Sequence, residues 1–404
     1  MSEEKFEILL YGATGFTGQL TAEYLDGHPA LAGKRWAIAG RNPAKLENVR
    51  KKLNSPHVEA VACSLDDADG VEAMVGSTQV LITTAGPYSV YSGDVLLGAC
   101  ARQGVHYSDL SGEGFWQREM VHANHEKAVA SGAKIVLGGG VDSIPSDLGA
   151  FLALEELGIS ADSPVKTNIT GVYTRYSGSF SGGTLASGAA RKKAFETGRL
   201  TKADLGNPYL LVPGQQNTRE EPTWDGMPRR FRFSFNRKHG ALLPFFMGAV
   251  NAPVVRRSLA LSGLHDQVTY RECCAPEMWL KVLWLYTSRG FGYPLGQPIK
   301  FKPEPGEGPP EWMIRQGGFT IEVDAQTAAG QTAAVTIEGE GDPGYGATSK
   351  MLAELALCLR DPHPRKPEGG GVLTPATALG HALVDQLKDA QNGRLMKFRV
   401  SRTL

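Results

Sequence analysis

Short apolar runs alternate with longer, partly polar stretches over the first 150 residues of this 404-residue chain. Runs that are apolar at almost every position are typical of parallel strands that are buried on both faces. Their alternation with helices predicts a doubly wound parallel sheet, and therefore an α/β fold. The predicted strands are residues 6–11, 36–39, 58–62, 80–83, 105–108 and 135–137, and the predicted helices are residues 15–25, 43–53, 67–75, 93–103 and 116–130.

The regular alternation ends near residue 158, and the later strand-like runs are separated by long stretches. This change predicts a second, mixed α+β domain. We place the division so that residues 1–150 form the first domain and residues 151–404 form the second. The second domain is expected to bind the substrate and to mediate homodimer formation, with C-terminal helices that reach back to the first domain. Its predicted strands are residues 165–174, 231–235, 319–325 and 333–338, and its predicted helices are residues 184–197, 347–360 and 377–388.

Three glycines follow the first predicted strand, in the run Gly12-Ala13-Thr14-Gly15-Phe16-Thr17-Gly18. In a dinucleotide-binding loop the first glycine permits the tight turn and the second lets the backbone approach the diphosphate. The third lets the helix pack on the strand. The diphosphate then lies at the helix N-terminus, where free N–H groups point towards it. The spacing, between a strand and a helix, predicts that this whole run binds a dinucleotide. The alternative is a plain strand–helix turn.

The end of the second strand indicates which dinucleotide is bound. Enzymes that use NAD usually have Asp or Glu here to bind the ribose 2′-hydroxyl, whereas this chain has Gly40-Arg41-Asn42. A guanidinium can bind a 2′-phosphate through paired, charge-assisted hydrogen bonds. We therefore predict NADP or NADPH as the cofactor; the alternative is a solvated arginine beside a helix cap. Ala85-Gly86-Pro87, after the fourth strand, is expected to form a rigid turn near the nicotinamide ribose.

Composition and charge exclude several classes of protein. Lys plus Arg and Asp plus Glu each total 42, so the chain has no net charge and a nucleic-acid partner is not expected. The five cysteines are an odd number without a C-x-x-C pair, so we expect neither a disulfide framework nor a metal site. The polar, acidic start does not resemble a secretory signal, and a cytoplasmic location is expected.

One segment has a strongly uneven charge. Residues 229–264 contain seven Lys or Arg residues and no Asp or Glu, and residues 241–255 between the two basic groups are uncharged. The uncharged run is shorter than the ~20 residues of a transmembrane helix. It can lie on an anionic membrane or lipid surface, line a pocket for an acyl chain, or place cations where an acidic carrier docks. The alternative is a core helix with solvated flanks.

Further motifs join the glycine turn: residues 104–113 (GVHYSDLSGE), 141–147 (VDSIPSD), 181–184 (SGGT), 344–349 (GYGATS) and 369–376 (GGGVLTPA). Together they resemble the saccharopine dehydrogenase-like oxidoreductases, and within them the trans-acting enoyl reductases of actinobacterial lipid synthesis. The resemblance implies an NADP-binding Rossmann domain over residues 1–150 and a second α/β domain. It does not carry over the saccharopine substrate, because the resemblance to true saccharopine reductases is concentrated in the dinucleotide domain. The chain also departs from many relatives at Gly138-Gly139-Gly140, where they have a Cys and a bulkier residue.

The predicted chemistry is hydride transfer from the cofactor to an acceptor that also needs a proton. Three side chains at strand ends are our catalytic candidates: Tyr88, Asp109 and Glu113. Tyr91, Asp142 and Asp147 are also at strand ends, and each of the six has a structural alternative as a cap or an interface residue.

The leading hypothesis is an NADPH-dependent reductase of a conjugated C=C bond. Its substrate is expected to be a lipid-like or polyketide-like acyl group, either as a small molecule or bound to a carrier. Two alternatives stay open: a saccharopine-type reductase of a C=N (imine) bond, and a lipid-surface protein in which NADP is only structural.

Overall fold

The apolar runs of the first 150 residues form six strands of one all-parallel sheet. The computed structural model describes residues 4–141, 143–177, 182–205, 207–214, 234–236, 238–278, 308 and 311–403. The first strands are β1 (Phe6–Tyr11), β2 (Trp36–Gly40), β3 (Val58–Ala62), β4 (Thr78–Thr83), β5 (His106–Asp109) and β6 (Lys134–Val136), and the helices are α1 (Phe16–Asp26), α2 (Pro43–Arg50), α3 (Ala68–Gly76), α4 (Gly93–Gln103), α5 (Gly114–Ser131) and α6 (Ile144–Glu156). The spatial order β6-β5-β4-β1-β2-β3 reverses direction at β1. This confirms the predicted doubly wound sheet.

The rest of the chain builds a second, mixed sheet in the order β14-β12-β11-β7-β10-β9-β8. The further elements are α7 (Gly182–Glu196), α8 (Lys202–Leu205), α9 (Gly248–Leu261), α10 (Glu311–Gln316), α11 (Gly346–Arg360), α12 (Pro375–Leu379), α13 (His381–Gly393), β7 (Thr167–Ser177), β8 (Ser234–Asn236), β9 (Gly240–Pro244), β10 (Val268–Cys274), β11 (Gly318–Thr327), β12 (Thr332–Glu340), β13 (Gly371–Leu373) and β14 (Met396–Thr403). β7 and β10 are parallel, and the other pairs are antiparallel. The predicted α+β character is confirmed.

Apolar and polar residues alternate along β11 and β12, and the apolar face of the second sheet packs against α6. Phe319, Ile321 and Val323 on β11 are fully buried, and polar residues lie between them. Such alternation is typical of an antiparallel pair with one face on the core. α6 therefore packs on the second sheet, and side chains from α6 and from both sheets belong to one apolar cluster.

The C-terminal part of the chain completes the first sheet. β13 pairs with β6 in parallel, with Val372 opposite Ile135. α11 packs on α1 and also contacts β1, β4 and β5. The parallel sheet thus has seven strands, and the segments that complete it lie on the other side of the expected division at residue 150.

The basic apolar segment is divided between β9 and α9, and α9 is a core helix. Arg256 and Arg257 are only 2% and 4% exposed. They donate to the carbonyls of Tyr270 and Leu211 at 2.6 and 2.7 Å, because buried cations need polar partners. At these two arginines the flank is therefore neither solvated nor open to an acidic carrier or a membrane surface. Residues 229–233 and 237 lie outside the described residues. Among the residues that the structure describes, no helix is long and apolar enough to cross a membrane.

Candidate nucleotide-binding site

The glycine turn joins β1 to α1 by close backbone contacts. The N–H of Gly12 donates to the carbonyl of Ala39 on β2 at 2.9 Å, and Gly12 has a left-handed φ of +87°. A Cβ atom on Gly12 would lie 2.9 Å from the amide N of Ala85. A Cβ atom on Gly18 would lie 2.2 Å from the carbonyl O of Gly12. Both positions therefore require glycine, one for its φ and both for space.

The N-terminus of α1 begins at this turn. Gly15 is the N-cap residue and has no side chain to accept the N–H groups of the first helical turn. A Cβ atom on Gly15 would meet only the carbonyl O of Gly12, at 3.4 Å, so the outer side of the turn is open. Open N–H groups at a helix N-terminus fit the oxygens of a diphosphate. The turn therefore fits the predicted dinucleotide.

The other positions of the run have supporting contacts. Ala13 is buried, while the carbonyls of Thr14 and Thr17 accept bonds from the side chains of later residues of α1. The ring of Phe16 lies edge-on to that of Tyr345, with centroids 5.3 Å apart. Tyr345 precedes α11, so an element of the C-terminal part borders the turn.

Arg41 lies just beyond Gly40, at the same edge of the sheet. Its side chain is exposed, and its Cζ atom is 5.7 Å from the centroid of the Tyr91 ring. Among the described residues Arg41 has no ion-pair partner, so its guanidinium is available to an anion. The Oδ1 atom of Asn42 accepts a bond from the N–H of Lys45 at 3.0 Å, which makes Asn42 the N-cap of α2. Of the two predicted residues, Arg41 thus has the geometry for a 2′-phosphate.

The turn after β4 contacts the glycine turn. The N–H of Thr84 donates to the carbonyl of Tyr11 at 3.0 Å, and its hydroxyl donates to the carbonyl of Gly12 at 3.2 Å. Ala85, Gly86 and Pro87 follow directly, and the Gly86–Pro87 peptide bond is cis. The ends of β1, β2 and β4 therefore meet at one carboxyl-end crevice, where doubly wound folds bind their ligands.

Two of the catalytic candidates, Tyr88 and Glu113, are buried beneath the loop that follows β4. The phenol of Tyr88 donates to the carbonyl of Thr83 and accepts from the N–H of Leu110, each at 3.0 Å, and burial raises its pKa well above the usual value. The Glu113 carboxylate accepts from the N–H of Tyr88 at 2.8 Å and from the N–H of Ser89 at 3.3 Å. It also accepts from the Ser89 hydroxyl. Both residues fix strand ends and loop backbone.

The third catalytic candidate, Asp109, is fully buried at the end of β5. Its Oδ1 atom accepts from the N–H groups of Ser111 and Gly138, and its Oδ2 atom accepts from the hydroxyl of Tyr107, each at 3.0 Å. The N–H of Gly139 donates to the Asp109 carbonyl at 2.6 Å. Burial raises the pKa of Asp109 to about 6. Asp109 thus ties the triple-glycine loop to β5.

Asp147 has a similar environment in the first turn of α6. Its carboxylate accepts from the N–H of Ala376 at 2.8 Å and from the hydroxyl of Ser258. Burial raises its pKa to about 6. These bonds join α6 to α9 and to α12, so Asp147 connects elements of the C-terminal part. Asp142 lies outside the described residues.

The raised pKa of Asp109 predicts a pH dependence of stability. In the unfolded chain this carboxyl loses its proton near pH 4, whereas in the native state it keeps the proton up to about pH 6. The native state binds more protons between these values, so this group's contribution to the free energy of unfolding falls as the pH rises. The side chain of Asp109→Asn does not titrate. Between pH 4 and pH 7 the free energy of unfolding of this variant should therefore rise by about 3 kcal/mol relative to that of the parent. Urea unfolding across this range tests this, and parallel curves for the two proteins would contradict it.

The sequence analysis missed a buried acid on β10. Glu272 is fully buried and accepts from Ser146 Oγ at 2.7 Å, Asn251 Nδ2 at 2.6 Å and the hydroxyl of Tyr270 at 2.7 Å. The hydroxyl of Tyr173 is 3.2 Å from Ser146 Oγ. These groups come from four elements that are distant in sequence, so no local pattern could reveal them. Within the described residues, no group of three or more His, Cys, Asp or Glu side chains is arranged to hold a metal ion.

Known proteins resemble this chain in its first domain and over nearly its full length. The model of the saccharopine dehydrogenase NADP binding domain matches residues 8–136. A Mycobacterium tuberculosis protein, provisionally named a trans-acting enoyl reductase, is 34% identical over an alignment of 408 positions that covers 96% of this chain and 96% of its own. The trans-acting enoyl reductase of Mycobacterium leprae is 32% identical and covers 96% of this chain and 98% of its own.

A solved structure also matches nearly the whole chain. The apo saccharopine dehydrogenase (L-Glu forming) from Saccharomyces cerevisiae has a TM-score of 0.50 at 12% identity, and the match covers 98% of this chain and 100% of that one. This likeness shows the shared fold. The matched NADP-binding domain ends at the last strand before α6, so it contains every turn of the crevice described above. The protein therefore binds NADP(H), belongs to the saccharopine dehydrogenase-like family together with the trans-acting enoyl reductases, and is an NAD(P)-dependent oxidoreductase.

Proposed function

We propose that the protein reduces a C=C bond conjugated to a carbonyl, in an apolar acyl substrate, with NADPH as the hydride donor. The observation that carries this proposal is the similarity to trans-acting enoyl reductases, at 31–34% identity over 96% of the chain. When bound, NADPH supplies the hydride. The protein has to bind the nucleotide, orient the acceptor and exclude water from the reacting atoms.

The crevice has a part for each end of the nucleotide. We assign the diphosphate to the run Gly12–Gly18 and the N-terminus of α1. The 2′-phosphate is assigned to Arg41, and the nicotinamide ribose to the turn at residues 85–87. This arrangement leaves the nicotinamide ring near the end of β5. Gly112 there lies next to Val250 on α9: a Cβ atom on Gly112 would be 3.6 Å from a Cγ atom of Val250.

Apolar side chains of the second domain border this position. Met247 and Val250 lie at the start of α9, directly after Phe245 and Phe246. The ring of Phe246 is 43% exposed and lies edge-on to that of Tyr176, with centroids 5.5 Å apart. An apolar border supports an acyl chain as the substrate. A dicarboxylic amino-acid substrate would require cations here.

Tyr88 is not positioned to donate the proton that completes the reduction. Its single hydroxyl hydrogen is donated to a backbone carbonyl, and its ring is stacked on that of Trp116 with centroids 5.4 Å apart. Carboxylates at Asp109 and Glu113 are likewise engaged with backbone N–H groups. The bonds of these three side chains support a role in shaping the crevice. Solvent water at the mouth of the crevice is the simplest source of the proton.

The proposal is tested by the choice of acceptor. Purified protein with NADPH is given an α,β-unsaturated acyl thioester, its saturated analogue as control, or an amine with a 2-oxo acid, and NADPH loss and product mass are followed. We expect NADPH loss and a saturated product with the unsaturated thioester alone. Reaction only with the amine and 2-oxo acid would indicate imine reduction. NADPH binding without turnover of any acceptor would indicate a structural cofactor, and either outcome would overturn the proposal.

A further inference from the structure

The exposed cation at the end of β2 contacts an aromatic ring from a different strand–helix loop. Arg41 Cζ lies 5.7 Å from the ring centroid of Tyr91, in the loop between β4 and α4. A planar guanidinium that rests on an aromatic face keeps its N–H groups free at its edge. A free arginine side chain has many rotamers, and fixing it costs conformational entropy when a ligand binds. The Tyr91 ring already restricts the Arg41 side chain and therefore reduces the conformational entropy that Arg41 loses when a ligand binds.

We propose that Tyr91 is a positioning residue that orients Arg41 towards the 2′-phosphate of NADPH. The preference for NADPH over NADH is then set jointly by the β2–α2 and β4–α4 loops. The effect is restricted to ligands with a 2′-phosphorylated adenosine. The inference rests on the assignment of Arg41 to the 2′-phosphate, and it is independent of the acceptor that is reduced.

Backbone hydrogen bonds fix the loop that bears Tyr91. The N–H of Tyr91 donates to the carbonyl of Pro87 at 3.0 Å, and the N–H of Gly93 donates to the carbonyl of Tyr88, also at 3.0 Å. Ser92 follows with a left-handed φ of 53°, which a residue with a side chain adopts only when its surroundings impose it. The Tyr91 side chain itself is 46% exposed, so core packing does not determine its place.

The buried Glu113 gives this loop its rigidity. Its carboxylate accepts bonds from the N–H groups of Tyr88 and Ser89, although Glu113 lies after the neighbouring strand β5. Bonds between a buried carboxylate and N–H groups are stronger than neutral ones. A residue that the sequence suggested as catalytic thus supports the backbone from which Tyr91 reaches Arg41.

The inference is tested by a double-mutant cycle on binding alone. The dissociation constants of 2′-phospho-AMP and AMP are measured by calorimetry for the parent, Tyr91→Ala, Tyr91→Phe, Arg41→Ala and the double variant Arg41→Ala/Tyr91→Ala. Val90→Ala is the matched control, because Val90 is the adjacent, 52% exposed side chain of the same loop.

We expect Tyr91→Ala to weaken 2′-phospho-AMP about 2- to 5-fold, as for an exposed cation–π contact. AMP binding should not change, and Tyr91→Phe and Val90→Ala should bind both ligands like the parent. In the Arg41→Ala background, Tyr91→Ala should have no further effect.

Four outcomes would overturn the inference. Equal weakening of both ligands would mean that Tyr91 contacts the adenosine or maintains the fold. An undiminished effect of Tyr91→Ala in the Arg41→Ala background would mean that it acts without Arg41. Unchanged 2′-phospho-AMP binding in Tyr91→Ala, with weaker binding in Arg41→Ala, would reject the role of Tyr91 and leave that of Arg41 intact. If Arg41→Ala itself has no effect, the 2′-phosphate assignment fails together with this inference.

Discussion

Gly18→Ala is expected to weaken both NADPH and NADH by at least about 100-fold, or about 2.7 kcal/mol. The added Cβ atom would lie 2.2 Å from the carbonyl O of Gly12 and 2.8 Å from the Cα atom of Ala13. Both atoms belong to the backbone, so a side-chain rotation cannot relieve the overlap. The turn and the N-terminus of α1 must separate, and the N–H groups that face the diphosphate move with them. Fluorescence titration with each nucleotide measures the loss.

The matched control is Gly27→Ala, at the other end of the same helix. Gly27 has a φ of −86°, and a Cβ atom there would meet only the carbonyl O of Glu23, at 3.9 Å. This variant should bind both nucleotides like the parent. Circular dichroism and the thermal midpoint establish whether Gly18→Ala is folded. A folded Gly18→Ala protein that binds NADPH within about threefold of the parent would contradict the packing argument.

Arg41→Ala is expected to raise the dissociation constant for NADPH at least tenfold and to leave NADH binding unchanged. Hydrogen bonds to a charged group contribute about 1.5–3 kcal/mol, and tenfold corresponds to about 1.4 kcal/mol. The guanidinium is exposed and has no ion-pair partner among the residues that the structure describes, so its removal leaves no buried charge. Stability should therefore change little.

Lys52→Ala is the control for the general loss of a positive charge. Lys52 is exposed and lies just beyond the C-terminal end of α2, whereas Arg41 precedes its N-terminal end. At physiological ionic strength, screening over about 8 Å removes most of its influence on the crevice. Both nucleotides should bind to Lys52→Ala like the parent. If NADPH binding is equally weakened by both variants, the field of the protein, and not a direct contact, sets the preference.

The nucleotide turn could be predicted from sequence because its signals are local. The strand at residues 6–11 has the predicted bounds, since an apolar run followed by a glycine turn fixes both of its ends. The left-handed φ of Gly12 and the close approach at Gly18 follow from the spacing of the glycines. The mixed second sheet was also predictable in outline, because β11 and β12 alternate clearly between apolar and polar positions.

Contacts between distant segments account for what the sequence did not reveal. β13 is three residues long, and it pairs with a strand more than 200 residues earlier. Arg256 and Arg257 read as surface cations because a buried arginine is rare. The carbonyls that satisfy them belong to segments that only the fold brings near. Tyr88, Asp109 and Glu113 lie at the carboxyl ends of β4 and β5, as their positions in the sequence indicate, but their burial depends on loops from several strands.

The late strand β13 has a consequence for the order in which the chain can mature during translation. Residues 371–373 leave the ribosome long after β6, and until then the outer edge of β6 presents unpaired backbone groups. α11, which covers α1 and three strands of the same sheet, is also synthesised late. A nascent chain that already contains the glycine turn therefore still exposes an unpaired edge and an uncovered apolar face. Exposed strand edges and apolar faces of this kind favour aggregation and chaperone binding, and the sheet that carries the nucleotide turn is complete only after residues 371–373 have been synthesised.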